Sequence, residues 1–235
     1  MLLSNTKNIL DIVNGYSSLE KVVEFKGVYT DTREYINDGL FVALEGENFD
    51  GHNFAQKAEK SGAKVIIAHN KVNTTLPVIM VSNTEKAYQK IATWHRQSLS
   101  PKVIAITGSN GKTSTKNMLH SILSLHGKTL STKGNLNNHL GVPKTILNLT
   151  IEHQYCVVEM GANHQNEIKL LCDIAKPDIS IITNANNAHL GEFGSIENIV
   201  KAKGEIYQSL NHEGVSIINN DSPHSKTWTE MSSSK

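Results

Sequence analysis

The sequence predicts an α/β protein in two parts, a small N-terminal α/β unit followed by a parallel-sheet domain built around a phosphate-loop motif. Three observations carry this. Short apolar runs bounded by turn residues alternate with segments of three-to-four spacing, as βαβ units and a parallel sheet require. Ser98-Leu99-Ser100-Pro101 breaks the pattern, and Pro101 disfavours helix at the residue before it. Beyond the break, one apolar strand runs into a glycine-rich turn that opens a helix.

Residues 1–98 form the first part. Gly39–Leu44, Lys64–Ala68 and Pro77–Val81 read as buried strands. Asn53–Ser61 has helical spacing, with Phe54, Ala55 and Ala58 on one face. A helix is predicted over Thr84–Gln97 from Ala87, Ile91 and either Trp94 or His95; Ser82-Asn83-Thr84 supplies an N-cap and Glu85 a favourable first-turn charge. In the second part, residues 101–235, strands are expected at Lys102–Thr107, Tyr155–Met160, Asp178–Thr183 and Gly214–Asn219. Helices are expected at Thr113–His126, Glu167–Ala175 and Ser195–Leu210. The last strand leads into a polar segment, so the expectation is either a sheet that ends on that edge strand or a domain cut short.

Composition narrows the classes. The 235 residues carry 23 Lys+Arg against 22 Asp+Glu, a net charge of +1, which argues against bulk electrostatic binding to nucleic acid. A 38% hydrophobic content with apolar runs throughout argues against disorder. Two cysteines provide neither a disulfide framework nor a four-ligand zinc site, and Cys156 lies in an apolar run as a core thiol. With no stretch of about 18 apolar residues and no signal-like N-terminus, the expectation is a cytoplasmic protein without membrane insertion.

Ile104-Ala-Ile-Thr-Gly-Ser-Asn-Gly-Lys-Thr-Ser-Thr115 is the strongest signal. Gly108 and Gly111 let backbone N–H groups face a phosphate chain at a helix N-terminus, so Gly108, Ser109, Asn110, Gly111, Lys112, Thr113 and Ser114 are the nucleotide-binding candidates. Lys112 would reach the terminal phosphates and the Thr113 hydroxyl would hold Mg²⁺. The general pattern places a glycine where Ile106 stands, so this loop is a shorter Gly-x-x-Gly-Lys-Thr form, which weakens a generic kinase or GTPase reading.

Glu159 closes a strand on the sheet edge where open α/β folds bind ligands, and a carboxylate there suits a hard cation. Alternatively it caps the following turn. His189 follows another strand on the same edge and is a metal or phosphate candidate, although an isolated histidine is more often a surface or packing residue. Lys201, Lys203 and Gly204 share a helical run; the lysines would ordinarily be solvated, and Gly204 would allow close packing near a ligand.

Taken together these segments resemble the Mur ligases, within them the members that join D-alanyl-D-alanine to UDP-N-acetylmuramoyl-tripeptide. The likeness rests on Thr107–Thr113, Gly134–Pro143, Glu159–Asn163, Ala188–Leu190, Phe193–Ser195 and Ala202–Ile206, with Asp31–Arg33, Leu40–Leu44 and Asp50–His52 in the first part. The resemblance implies a UDP-muramoyl-peptide-binding domain over 1–98 and a partial ATP-binding domain over 101–235, the family's C-terminal Rossmann-like domain being absent. It implies an ATP- and Mg²⁺-dependent amide ligase that acts through an acyl phosphate. Lys112, His189 and Lys203 would be catalytic, with Lys203 carbamylated. Thr113, Glu159, His189 and Lys203 would serve the metals. Thr30, Asp31, Thr32, Arg33, Asn135, Asn137 and Asn138 would meet the UDP-sugar substrate. A monomer is expected. The alternatives are a non-catalytic nucleotide- or UDP-sugar-binding fragment, another Mur-type ligase with a different amino substrate, and a small-molecule P-loop kinase.

Overall fold

The computed structural model describes residues 2–17, 21–186 and 190–232. The chain divides into two compact units, Met1–His95 and Arg96–Lys235.

The first stretch comprises β1 (Leu3–Asn5), α1 (Thr6–Val13), β2 (Glu24–Lys26), β3 (Val28–Tyr29), β4 (Leu40–Val42), β5 (Glu45–Gly46), β6 (Phe49–Asp50), a 3₁₀ turn (Gly51–Phe54), α2 (Ala55–Lys60), β7 (Val65–Ala68), β8 (Val78–Met80) and α3 (Thr84–Gln97). Strands β3-β4-β7-β8 form a parallel sheet in that order, while β1-β2 and β5-β6 are antiparallel pairs. Phe41, Ala43, Ile66 and Ala68 pack with Ala55 and Ala58 of α2 into one apolar cluster. The helical spacing expected from Asn53 resolves into the 3₁₀ turn and α2, because Asp50 caps the turn by accepting the His52 N–H at 2.9 Å. In α3, His95 rather than Trp94 completes the buried face with Ala87 and Ile91, and Asn83 caps it by accepting from Lys86 N–H at 2.8 Å.

His52 is a structural hub that sequence alone did not disclose. Its Nε2 accepts the His69 and Asn70 backbone N–H groups at 3.2 and 3.3 Å. Nδ1 therefore carries the proton, and it stands 2.6 Å from the Asp50 carboxylate. The Asp50-Gly51-His52 segment thus ties the turn after β6 to the end of β7.

The second stretch comprises β9 (Lys102–Thr107), α4 (Lys112–Ser124), β10 (Thr129–Ser131), α5 (Gly141–Leu147), β11 (Tyr155–Glu159), α6 (Glu167–Ala175), β12 (Ile179–Ile182), α7 (Leu190–Phe193), α8 (Ile196–Gln208), β13 (Val215–Ile217) and α9 (Ser225–Met231). Its sheet is parallel throughout, in the order β10-β11-β9-β12-β13. From the central β9 the chain winds first to one side and then to the other, so the loop after β9 lies at the reversal point where such sheets bind ligands. Ile104, Ile106 and Val157 form the core between sheet and α4, with Leu119 and Leu123 packed on them. Arg96, 8% exposed, closes the end of α6 by donating to the Ala175 and Lys176 carbonyls at 3.0 and 3.1 Å. Cys156 and Cys172 are buried free thiols, and burial pushes each up to about 12.

The polar segment after β13 forms α9, whose Trp228 is fully buried and donates its indole N–H to the Val200 carbonyl at 3.1 Å. Gly204 does permit close packing, but against this helix rather than a ligand. A Cβ at Gly204 would stand 2.3 Å from Met231 Cε and 3.3 Å from Trp228 Cδ1.

Candidate functional site

The loop between β9 and α4 sets the geometry. Gly108 and Gly111 have φ of +152° and +80°, the left-handed side that glycine tolerates best. Gly108 has a second reason to lack a side chain, since a Cβ would stand 1.9 Å from the Thr183 hydroxyl. Gly111 is the N-cap of α4, so the helix starts at Lys112 and its first-turn amides face the loop without intrahelical acceptors. Lys112 curls back over that loop, its ammonium donating to the Gly108 carbonyl at 2.7 Å and approaching Ser109 O at 3.4 Å. Burial lowers the Lys112 pKa, and the Glu159 charge opposes that shift.

Glu159 ends β11 directly beside Ile106 of β9 and is 3% exposed. Its carboxylate accepts two hydrogen bonds, from the Thr113 hydroxyl at 2.8 Å and from Asn137 Nδ2 at 2.9 Å. Its backbone N–H donates to the Thr132 hydroxyl at 3.0 Å, while the buried Lys116 ammonium donates to the Thr132 carbonyl at 3.0 Å. Lys116 and Thr132 are supports that sequence reading missed; their signal, a lysine one turn after Lys112 on the same helical face, is legible only once α4 and β10 are known to meet.

Lys203 lies on the buried face of α8 at 4% exposure. Burial brings its pKa down to about 8, with the Lys112 charge adding to the shift, so the two lysines sense one another. Lys201, two residues earlier, is exposed, as expected.

The remaining predicted residues separate into groups. Asn138 caps α5 by accepting the Leu140 and Gly141 N–H groups at 3.2 and 2.8 Å, which gives it a local task. Asn135 and Ser114 are exposed near their respective turns. His189 lies outside the described residues. In the other unit, Thr30 to Arg33 form the turn after β3. There Thr32 is buried, and Asp31 holds Arg33 through its backbone N–H at 2.8 Å and its guanidinium at 2.6 Å. A groove of about 680 Å³ lined by Gln165, Lys169, Lys201, Glu205, Thr227 and Met231 contains none of the predicted site residues.

Thr113 and Glu159 offer oxygen donors within reach of one another at a phosphate loop, which fits Mg²⁺, an ion that takes few protein ligands and completes its shell with phosphate and water. Among the described residues no three His, Cys, Asp or Glu side chains converge as a self-sufficient metal site. No helix among them is long and apolar enough to cross a membrane.

Residues 106–235 match the Mur ligase middle domain, and residues 24–100 match the Mur ligase family catalytic domain. The UDP-N-acetylmuramoyl-tripeptide--D-alanyl-D-alanine ligase of Escherichia coli K12 is 41% identical over 235 residues, covering 100% of this chain and 52% of the relative. Its Bacillus subtilis 168 counterpart is 39% identical over 229 residues, 95% of this chain and 50% of the relative. Among solved structures, crystal structure I of MurF from Acinetobacter baumannii superposes with a TM-score of 0.92 at 38% identity, covering 100% of this chain and 53% of that one. MurF ligase from Thermotoga maritima in complex with ADP gives 0.80 at 30% identity, covering 89% and 49%. The chain spans about half the length of the curated relatives it matches.

Proposed function

The chain belongs to the Mur ligase family, and from that premise we propose that it provides the ATP site and the UDP-muramoyl-peptide site of a ligase joining D-alanyl-D-alanine to UDP-N-acetylmuramoyl-tripeptide. The observation that carries the reading is the Lys112–Thr113–Glu159 constellation at the mouth of β9 and β11, in a chain 41% identical to a ligase of that name.

In this reading ATP transfers its terminal phosphoryl group to the peptide carboxylate, giving ADP and an acyl phosphate. The amine of D-alanyl-D-alanine then attacks the acyl carbon and phosphate leaves. The first-turn amides of α4 and the Lys112 ammonium bind the phosphates and offset their charge. The Thr113 hydroxyl keeps its proton on Glu159, so an oxygen lone pair is turned outward for a cation. Asn137 holds the other Glu159 oxygen and keeps the carboxylate in one orientation. Mg²⁺ bound by Thr113 and Glu159 would neutralise phosphate charge. Lys203, with its pKa near 8, has a neutral fraction on the order of a tenth at pH 7, far above that of an ordinary lysine. Its amine can therefore add CO₂ and lose a proton, becoming a carbamate anion suited to the metal sites. The Thr30–Arg33 turn and Asn135, Asn137 and Asn138 are proposed to meet the UDP-sugar substrate. His189 is proposed to serve a second metal.

Phosphate release by this chain, with ATP, Mg²⁺ and UDP-N-acetylmuramoyl-tripeptide, is expected to depend on added D-alanyl-D-alanine. Calorimetry with Mg·ADP and with the UDP-tripeptide separates the parts: binding of both without release would leave a binding module, and binding of neither would refute the reading. Lys112→Ala is expected to weaken Mg·ADP by 100-fold or so, a loss of about 3 kcal/mol for a charge-assisted contact.

A further inference from the structure

The short phosphate loop has little support of its own. Asn110 and Gly111 are exposed, and two of its residues are glycines on the left-handed side of φ. Glycine-rich chain loses more conformational freedom on ordering than any other, so something must hold this loop if its shape is to precede the ligand.

The support comes from the segment after β12. The Asn184 carboxamide bonds both backbone polar groups of Asn110: Asn110 N–H donates to Asn184 Oδ1 at 3.0 Å, and Asn184 Nδ2 donates to Asn110 O at 3.1 Å. The Thr183 hydroxyl donates to the same carbonyl at 2.6 Å. Ser109 N–H donates to Asn184 O at 3.0 Å, and the Ser109 hydroxyl stands 2.9 Å from Asn186 N and 3.1 Å from Asn186 O. Side chain 184 thus pairs with the loop as a neighbouring strand would. A carboxamide carries its donor and its acceptor on separate atoms, so it can bond the N–H and the C=O of one residue side by side, and asparagine is the shorter of the two residues that carry it.

We propose that Asn184 is a positioning residue of the nucleotide site, clamping the Asn110 backbone so that the loop holds its phosphate-receiving shape before a nucleotide arrives. The inference rests on the nucleotide reading above and adds to it a residue outside the phosphate-loop motif. Pre-ordering moves the entropy of loop closure from binding to folding, and a loop competent only part of the time binds more weakly in proportion.

The test uses the 235-residue chain as wild type, Asn184→Ala, Asn184→Asp and Lys112→Ala. Mg·ADP affinity is measured by calorimetry, and exchange of the Ser109 and Asn110 amides by NMR without nucleotide. Asn184→Ala is expected to bind Mg·ADP about tenfold more weakly, for two lost hydrogen bonds, and to exchange the Asn110 amide at least about tenfold faster. Its melting temperature should stay near wild type. Asn184→Asp keeps the shape and the acceptor but sets a carboxylate against the Asn110 carbonyl, so it should also bind more weakly; being isosteric, it serves if the alanine variant does not fold. Unchanged affinity in both variants, with Lys112→Ala impaired, overturns the role of Asn184 and leaves the nucleotide site standing. Weaker affinity with unchanged Asn110 exchange would overturn pre-ordering as its cause. A wild-type chain that binds no Mg·ADP overturns the nucleotide reading itself.

Discussion

Lys203 shows what one residue can and cannot announce. On a helical run with Lys201, its sequence context is that of a solvated lysine, and only the resemblance to a family singled it out. The fold supplies the missing physics: at 4% exposure and with Lys112 nearby, its ammonium is disfavoured. The stability consequence has a definite sign. The folded pKa of about 8 lies below the ordinary 10.5, so between those values the unfolded chain binds more protons and stability rises with pH. Lys203→Met is therefore expected to stabilise the metal-free chain at pH 7 by on the order of 2 kcal/mol in carbonate-free buffer, with the gain fading above about pH 10. Urea melts at pH 7 and pH 10 check it; an equal gain at both would mean that the lysine is not penalised as a charge. Glu159 is the opposite case. Its strand-end position was legible from alternating strands and the phosphate loop, but its hydrogen bond with Asn137 was not, because a contact between a strand end and a distant loop leaves no periodic trace.

Elements were legible in proportion to how local their causes are. Thr84–Gln97, Lys102–Thr107 and Glu167–Ala175 occupy the predicted spans, because a cap, an apolar run or a helical face is written within a dozen residues. Short pieces escaped: β10 has three residues and α5 seven, the latter started by the Asn138 side chain. Gly204 was misread for a different reason. Its partner is α9, a polar stretch whose single buried aromatic, Trp228, gives no helical pattern. Trp228→Ala should cost about 3–5 kcal/mol, as truncation of a fully buried aromatic does, and should loosen α8 from α9. Gly204→Ala is expected to change stability by less than about 1 kcal/mol, because helix propensity gained is offset by displacing the flexible end of Met231. Gly204→Phe should cost about 1–3 kcal/mol by overpacking. Chemical denaturation of the three variants orders them; an innocuous Gly204→Phe would mean that α9 does not press on α8.

At the scale of the molecule, strand–helix alternation predicted a parallel sheet, and in the order β10-β11-β9-β12-β13 the chain winds out from the phosphate-loop strand in both directions, which brings Glu159 and Asn184 to flank the same loop. The strand order itself was not readable, because several orders satisfy the same alternation. The chain has two tryptophans, the part-exposed Trp94 and the fully buried Trp228. Trp228 donates its indole hydrogen into α8, the helix that carries Lys203. A Trp94→Phe chain therefore has a single tryptophan, wired to that helix and excited apart from the six tyrosines at the red edge of the absorption band. Its emission colour and quenching would give an optical signal of any tilt or loosening of α8, readable during a titration with nucleotide and without an attached dye.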